Sequence, residues 1–164
     1  MKYTTNQDTF NFQGLKIHQT STSTEMSLGA QGFNCSTDRA GERSQTAVKY
    51  IKNLDYTGNG NWCFGTCKKL KSFTNCKLNL HTTIAALFSE CSALTSTGGI
   101  TFSKVPGSSI NSFYFTFKDC SSLERIYSSG TASADISKFI KLYADSTTTE
   151  FNYSFRGLSS LSSA

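Results

Sequence analysis

FKDCSSL, residues 117–123, contains a pattern that recurs along the chain. It places an aromatic residue, a cysteine and a leucine three positions apart, at Phe117, Cys120 and Leu123. Three other segments have the same spacing, and leucine replaces the cysteine in the last of them: Phe64, Cys67 and Leu70; Phe88, Cys91 and Leu94; Phe155, Leu158 and Leu161. Recurrence of one spacing indicates an internal structural repeat.

The residues around each motif predict the shape of one repeat. An apolar residue precedes three of the phenylalanines by four positions, at Ile84, Phe113 and Phe151, and the resulting apolar series follows one face of a short helix. Strand-like alternation and turn-forming residues follow the motif leucine. The sequence therefore predicts an α/β repeat protein, a solenoid of helix–corner–strand units with one shared core.

Two weaker copies of the motif extend this pattern. They consist of Val48, Ile51 and Leu54 before the clear copies, and of Ile136, Phe139 and Leu142 between the third and the fourth. The intervals between copies are uneven, which predicts loop insertions of different lengths.

The form Phe-x-x-Cys-Ser-x-Leu, seen in FSECSALTS (88–96) and FKDCSSLER (117–125), resembles the BspA-like leucine-rich repeats of many bacterial surface proteins and of some protozoan and phage-encoded proteins. The resemblance covers about residues 48–164. It implies a curved, right-handed leucine-rich-repeat-like solenoid with a parallel sheet on one face. It also implies a role in adhesion or protein interaction.

The first 45 residues lack the motif. Apolar residues alternate at Phe10 and Phe12 and again at Leu15 and Ile17, with a break at Gly14, which is typical of a half-buried strand pair with a kink. We therefore expect residues 1–45 to form an N-terminal β cap or attachment segment, and residues 46–164 to form the repeat domain.

The motif cysteines have a packing interpretation. Leu158 occupies the fourth equivalent position, and a free cysteine behaves as a small apolar residue, so we expect packing at the other three: Cys67, Cys91 and Cys120. Three further cysteines fall outside the motif and are predicted to be buried or half-buried thiols, with a disulfide as the alternative in an oxidising compartment: Cys35, Cys63 and Cys76.

A zinc site is the alternative to packing. Its ligands would be Cys63, Cys67, Cys76 and His81, which are suitable residue types although their inner spacings differ from those of common zinc fingers. Packing is the favoured interpretation, so we expect no metal or cofactor.

Motifs of the common enzyme classes are missing from the sequence. Neither histidine, His18 or His81, stands in a nucleophile or base motif, and the sequence contains no phosphate-binding loop, nucleophile elbow or H-E-x-x-H. We therefore expect a protein that is not an enzyme.

Positive charge is concentrated in one part of the sequence. The chain carries a net charge of +5, and residues 49–77, in which Asp55 is the one acidic residue, supply essentially all of it through six lysines: Lys49, Lys52, Lys68, Lys69, Lys71 and Lys77. Clustered lysines attract nucleic acid, anionic glycans or acidic protein surfaces. Solvated lysines that keep the repeats soluble are the alternative interpretation.

The sequence predicts a non-enzymatic structural or protein-interaction module, part of a larger assembly such as a phage virion or a surface structure. The two alternatives are a fragment of a secreted bacterial surface adhesin and a polyanion-binding protein that uses the lysines. We expect neither an export signal nor a membrane span, because the start lacks an apolar core and no long apolar run occurs.

The end of the sequence predicts where a partner binds. No polar capping unit follows Leu158 and Leu161. We therefore expect this end to be covered by another subunit or another copy of the chain, or else the sequence to be part of a longer array.

Overall fold

The computed structural model describes residues 8–18, 48–128 and 135–162. Of the predicted N-terminal cap, residues 1–7 and 19–45, which include Cys35, lie outside these ranges. In the described part the chain forms the strands β1 (Thr9–Asn11), β2 (Lys16–His18), β3 (Tyr50–Lys52), β4 (Asp55–Asn59), β5 (Ser72–Thr74), β6 (Cys76–Thr83), β7 (Ile100–Lys104) and β8 (Ile110–Ser112), and the helix α1 (Ile136–Tyr143).

The strands form two sheets through which the chain passes alternately. One sheet has the order β1-β3-β5, and the other has the order β2-β4-β6-β7, with β8 also paired to β6. Every one of these pairs is parallel. Successive passes of the chain through both sheets therefore stack on each other in register.

Alternation of apolar residues explains the strands and their inner faces. In β6, Leu78 and Leu80 are fully buried, and Leu78 is paired in register with Tyr56 of β4 and Phe102 of β7. Because side chains of a strand alternate between the two faces, equivalent positions of neighbouring strands point to the same side. Registered apolar residues therefore line one continuous core.

The alternation around Gly14 predicted two strands, and β1 and β2 form there. Positive φ angles of 52° at Gln13 and 78° at Gly14 turn the chain between them. The two strands do not pair with each other, because β1 joins β3 in one sheet and β2 joins β4 in the other. This turn therefore redirects the chain from one sheet to the next.

The predicted solenoid of helix–corner–strand, leucine-rich-repeat-like units is wrong. The described fold is mostly parallel β-sheet with a single short helix, and the motif phenylalanines lie in successive turns. A right-handed helix needs negative φ at each residue, but φ is positive two positions before and two positions after every motif phenylalanine, at Trp62, Thr66, Ala86, Glu90, Phe115, Asp119, Tyr153 and Gly157.

Helix α1 lies on one of the two weak motif copies. The Asp135 side chain caps its N-terminus by accepting hydrogen bonds from the backbone N–H groups of Ser137 and Lys138. Phe139 and Tyr143, four positions apart, are buried against Phe102, and the Phe102 and Phe139 ring centroids are 5.1 Å apart. The other weak copy spans β3, so neither shares the turn structure of the four clear copies.

Candidate interaction edge

Four turn segments carry the phenylalanines of the clear motif copies: residues 60–66, 84–90, 113–119 and 151–157. The motif cysteine, or leucine in the fourth copy, directly follows each segment. The first three begin directly after β4, β6 and β8, and the fourth begins after Glu150, which forms a bridge with Ser112. We call them the first to fourth turn segments, in chain order. The sheet that contains β4, β6 and β8 therefore aligns the starting points of these segments.

A ladder of backbone hydrogen bonds joins these segments. In each of the first three, the N–H groups of four alternate residues donate to carbonyls at the next segment, over 2.6–3.3 Å: residues 60, 62, 64 and 66, then 84, 86, 88 and 90, then 113, 115, 117 and 119. In each segment, two of the four donor residues have positive φ, which bends the backbone into a turn. The segments therefore form a third hydrogen-bonded wall beside the two sheets.

The motif phenylalanines stack in a column inside this wall. Ring centroids are 5.5 Å apart for Phe64 and Phe88, 5.5 Å for Phe88 and Phe117, and 6.0 Å for Phe117 and Phe155. The rings are close to parallel, with interplanar angles of 9°, 14° and 19°. Stacked aromatic pairs stabilise by about 0.5–1.5 kcal/mol beyond the burial of their area.

The motif cysteines donate hydrogen bonds between turn segments. The Cys91 thiol donates to the Phe64 carbonyl over 3.1 Å, and the Cys120 thiol donates to the Phe88 carbonyl over 2.9 Å. Burial raises the pKa of Cys120 to about 12 and keeps its thiol protonated. Cysteine is thus both a packing residue and a donor here, and the spacing of the motif revealed only the first role.

Two buried hydroxyl groups make a similar connection that the sequence did not predict. Thr116 donates to the Ile84 carbonyl over 3.1 Å, and Ser154 donates to the Phe113 carbonyl over 2.7 Å. Both residues precede a motif phenylalanine directly. A hydroxyl residue at that position in two copies was the available signal.

Burial of the motif residues changes at the fourth turn segment. The first three copies are fully buried: Phe64, Cys67, Leu70, Phe88, Cys91, Leu94, Phe117, Cys120 and Leu123. The three members of the fourth copy, Phe155, Leu158 and Leu161, pack against this core but remain half-buried. One side of the column is therefore exposed at its last member.

Backbone donors of the fourth turn segment also differ from those of the first three. The N–H groups of Phe151, Tyr153, Phe155 and Gly157 occupy the positions that donate in the earlier segments. Within residues 8–18, 48–128 and 135–162 they meet no backbone acceptor. Together with the half-buried side chains of the fourth copy, these four donors define what we call the open edge.

Aromatic residues surround the open edge. Phe151 and Tyr153 are 43% and 54% exposed, although neighbouring aromatic residues of the core are fully buried. The guanidinium of Arg156 lies 5.5 Å from the centroid of the Tyr153 ring. Exposed clustered aromatic residues with an arginine are characteristic of protein interfaces.

The residues proposed as zinc ligands do not converge. All four residues are buried, but the described residues contain no group of three or more potential ligands placed to hold a metal ion. Burial raises the pKa of Cys63 well above its ordinary value. Of the cysteines outside the motif, Cys63 and Cys76 are thus buried free thiols.

The six lysines of residues 49–77 lie on more than one element of the fold. Lys52 and Lys77 lie in different sheets, on β3 and β6. Lys49 pairs with Asp8 at 3.5 Å, and Lys68 pairs with Glu90 at 3.8 Å. Lys69 and Lys71 are exposed beside the first motif copy. Lys49 and Lys71 lie on adjacent passes of the chain, since the Lys71 N–H donates to the Lys49 carbonyl over 2.8 Å. The six lysines therefore do not all lie in one sheet, and polyanion binding stays a prediction.

None of the helices in the described ranges is long and apolar enough to cross a membrane. Comparison of the chain with protein-family models, with curated proteins and with solved structures finds no match.

Proposed function

We propose that this protein is a non-enzymatic structural and protein-interaction module that works within a larger assembly by docking another polypeptide on the open edge. A virion or a cell-surface structure is the kind of assembly that the resemblance of the motif suggests.

The open edge carries this proposal. Four backbone donors at alternate residues point away from the third turn segment, beside the half-buried rings and aliphatic groups of the fourth copy. An edge of unpaired backbone groups with apolar side chains beside it is a template for another chain. Covering it would bury apolar surface worth about 25 cal/mol per Å² and would pair four N–H groups.

Sedimentation velocity over a range of concentrations tests the proposal. We expect the wild-type chain to associate, and Leu158→Lys to associate less, because a charge at the open edge would lose its hydration when a partner docks. The matched control is Ser121→Lys, which adds the same charge to an exposed residue within the third copy. A wild type that remains monomeric at high concentration, or equal association of both variants, would overturn the proposal.

A further inference from the structure

We infer that the open edge accepts a turn segment of the chain's own motif type, supplied by another polypeptide, with a phenylalanine above Phe155 and a cysteine or leucine above Leu158. This inference rests on the proposed function and adds the chemistry of the partner.

The three earlier turn segments show what covers such an edge. The donors of the first are covered by the second, those of the second by the third, and those of the third by the fourth. In each case a motif phenylalanine stacks on the one before it. The open edge has N–H groups at the equivalent positions and a phenylalanine, Phe155, as the last ring of the column. A further turn segment of the same type would therefore fit it.

Details of the earlier contacts define the partner further. Its carbonyls at alternate residues would accept from the N–H groups of Phe151, Tyr153, Phe155 and Gly157. A cysteine three positions after its phenylalanine would donate to the Phe155 carbonyl, as Cys120 donates to the Phe88 carbonyl over 2.9 Å. The positive φ of Gly157, 78°, already matches that of Asp119 in the covered segment.

The direction of the donors disfavours a two-fold contact between two open edges. Such a contact would bring most of the N–H groups against N–H groups, because three of the four carbonyls already accept from described backbone donors: Phe151 from Ser154, Tyr153 from Arg156 and Gly157 from Ser159. The partner must instead present carbonyl acceptors, as the second turn segment does toward the first. An addition of this kind is heterologous, and repeated additions extend in one direction.

A fusion protein tests this inference. A copy of residues 84–94 is joined to the C-terminus of the full chain through a glycine–serine linker of about 15 residues, which spans about 20 Å on average and keeps the copy at roughly millimolar effective concentration. The matched control carries the same fusion with serine in place of the phenylalanine of the added copy.

Amide hydrogen exchange of Phe151, Tyr153, Phe155 and Gly157 is measured in both fusions at a concentration where each is monomeric. We expect exchange at these four amides to be at least about tenfold slower with the phenylalanine than with the serine. A tenfold difference corresponds to about 1.4 kcal/mol of docking free energy. Equal exchange in the two fusions would overturn the inference. If Leu158→Lys nevertheless weakens association, the proposed function stands and only the motif chemistry of the partner is wrong.

Discussion

At the scale of single residues, the spacing of the motif identified side chains that share the core but could not show their surroundings. Leu158 indicated that the cysteine position is a packing position, yet Leu158 is half-buried at the end of the column whereas Cys120 is fully enclosed. The hydrogen bonds of the thiols depend on the turn geometry, which residue spacing does not reveal. A leucine that fits at the end therefore does not establish that leucine fits inside.

Substitutions in the third motif copy test this difference. Phe117→Ala removes a ring that lies between those of Phe88 and Phe155 and whose centroid is 5.2 Å from that of Phe139. We expect this substitution to lower the free energy of unfolding by about 3–5 kcal/mol. Cys120→Leu adds volume in a filled site and removes a hydrogen bond, so we expect about 1–3 kcal/mol.

Urea denaturation of both variants, with the exposed Tyr114→Ala as the control, measures these costs. A midpoint of Phe117→Ala near that of wild type would contradict the stacked column. A midpoint of Cys120→Leu near that of wild type would show that the inner positions accept leucine as the last one does.

At the scale of elements, alternation predicted the two strands around Gly14 but not that they join different sheets, and the helical period predicted helices where the chain forms turns. The sequence indicated β1 and β2 on either side of Gly14, and both form. Apolar residues at i, i+4, i+7 and i+10 suggested helices, but successive three- and four-residue turns also return a side chain to the same side. Sequence spacing alone cannot distinguish these two structures, since the positive φ angles that separate them fall mostly on residues other than glycine.

The corner before β7 provides a prediction at this scale. Gly99 has a φ of 84°, and a Cβ there would collide with the carbonyl of Phe73 in the neighbouring pass of the chain. Gly107 has a similar φ of 77°, but a Cβ added to it would meet no atom within 4 Å, so it is the matched control.

We expect Gly107→Ala to cost only the conformational penalty of about 1–2 kcal/mol. Gly99→Ala should cost about 1–3 kcal/mol more, because the backbone of Phe73 must shift as in an overpacked core. Thermal unfolding of the two variants compares them directly. Equal losses of stability would mean that the two passes are not packed as closely as the parallel register requires.

At the scale of the whole molecule, one parallel register explains three features. These are the stacked passes of the chain, the hydrogen-bonded wall of turn segments and the open edge. The sequence contained the repeat and the apolar character of its fourth copy, and from them a covered end could be predicted. It did not contain the donors at 151, 153, 155 and 157, because these depend on the ladder between turn segments. The uneven intervals between copies also concealed that the segments align in space.

The motif phenylalanines lie in turn segments joined by a backbone ladder. Within the described residues this ladder ends at residues 151–157, and both proposals depend on it. Amide hydrogen exchange of the monomeric wild-type chain, followed by NMR, tests it residue by residue. We predict slow exchange at Phe113, Phe115, Phe117 and Asp119, whose N–H groups donate to Glu150 and to the fourth segment, and fast exchange at Phe151, Tyr153, Phe155 and Gly157. Equal protection of the two sets in the monomer, or fast exchange in both, would contradict the ladder and its open edge.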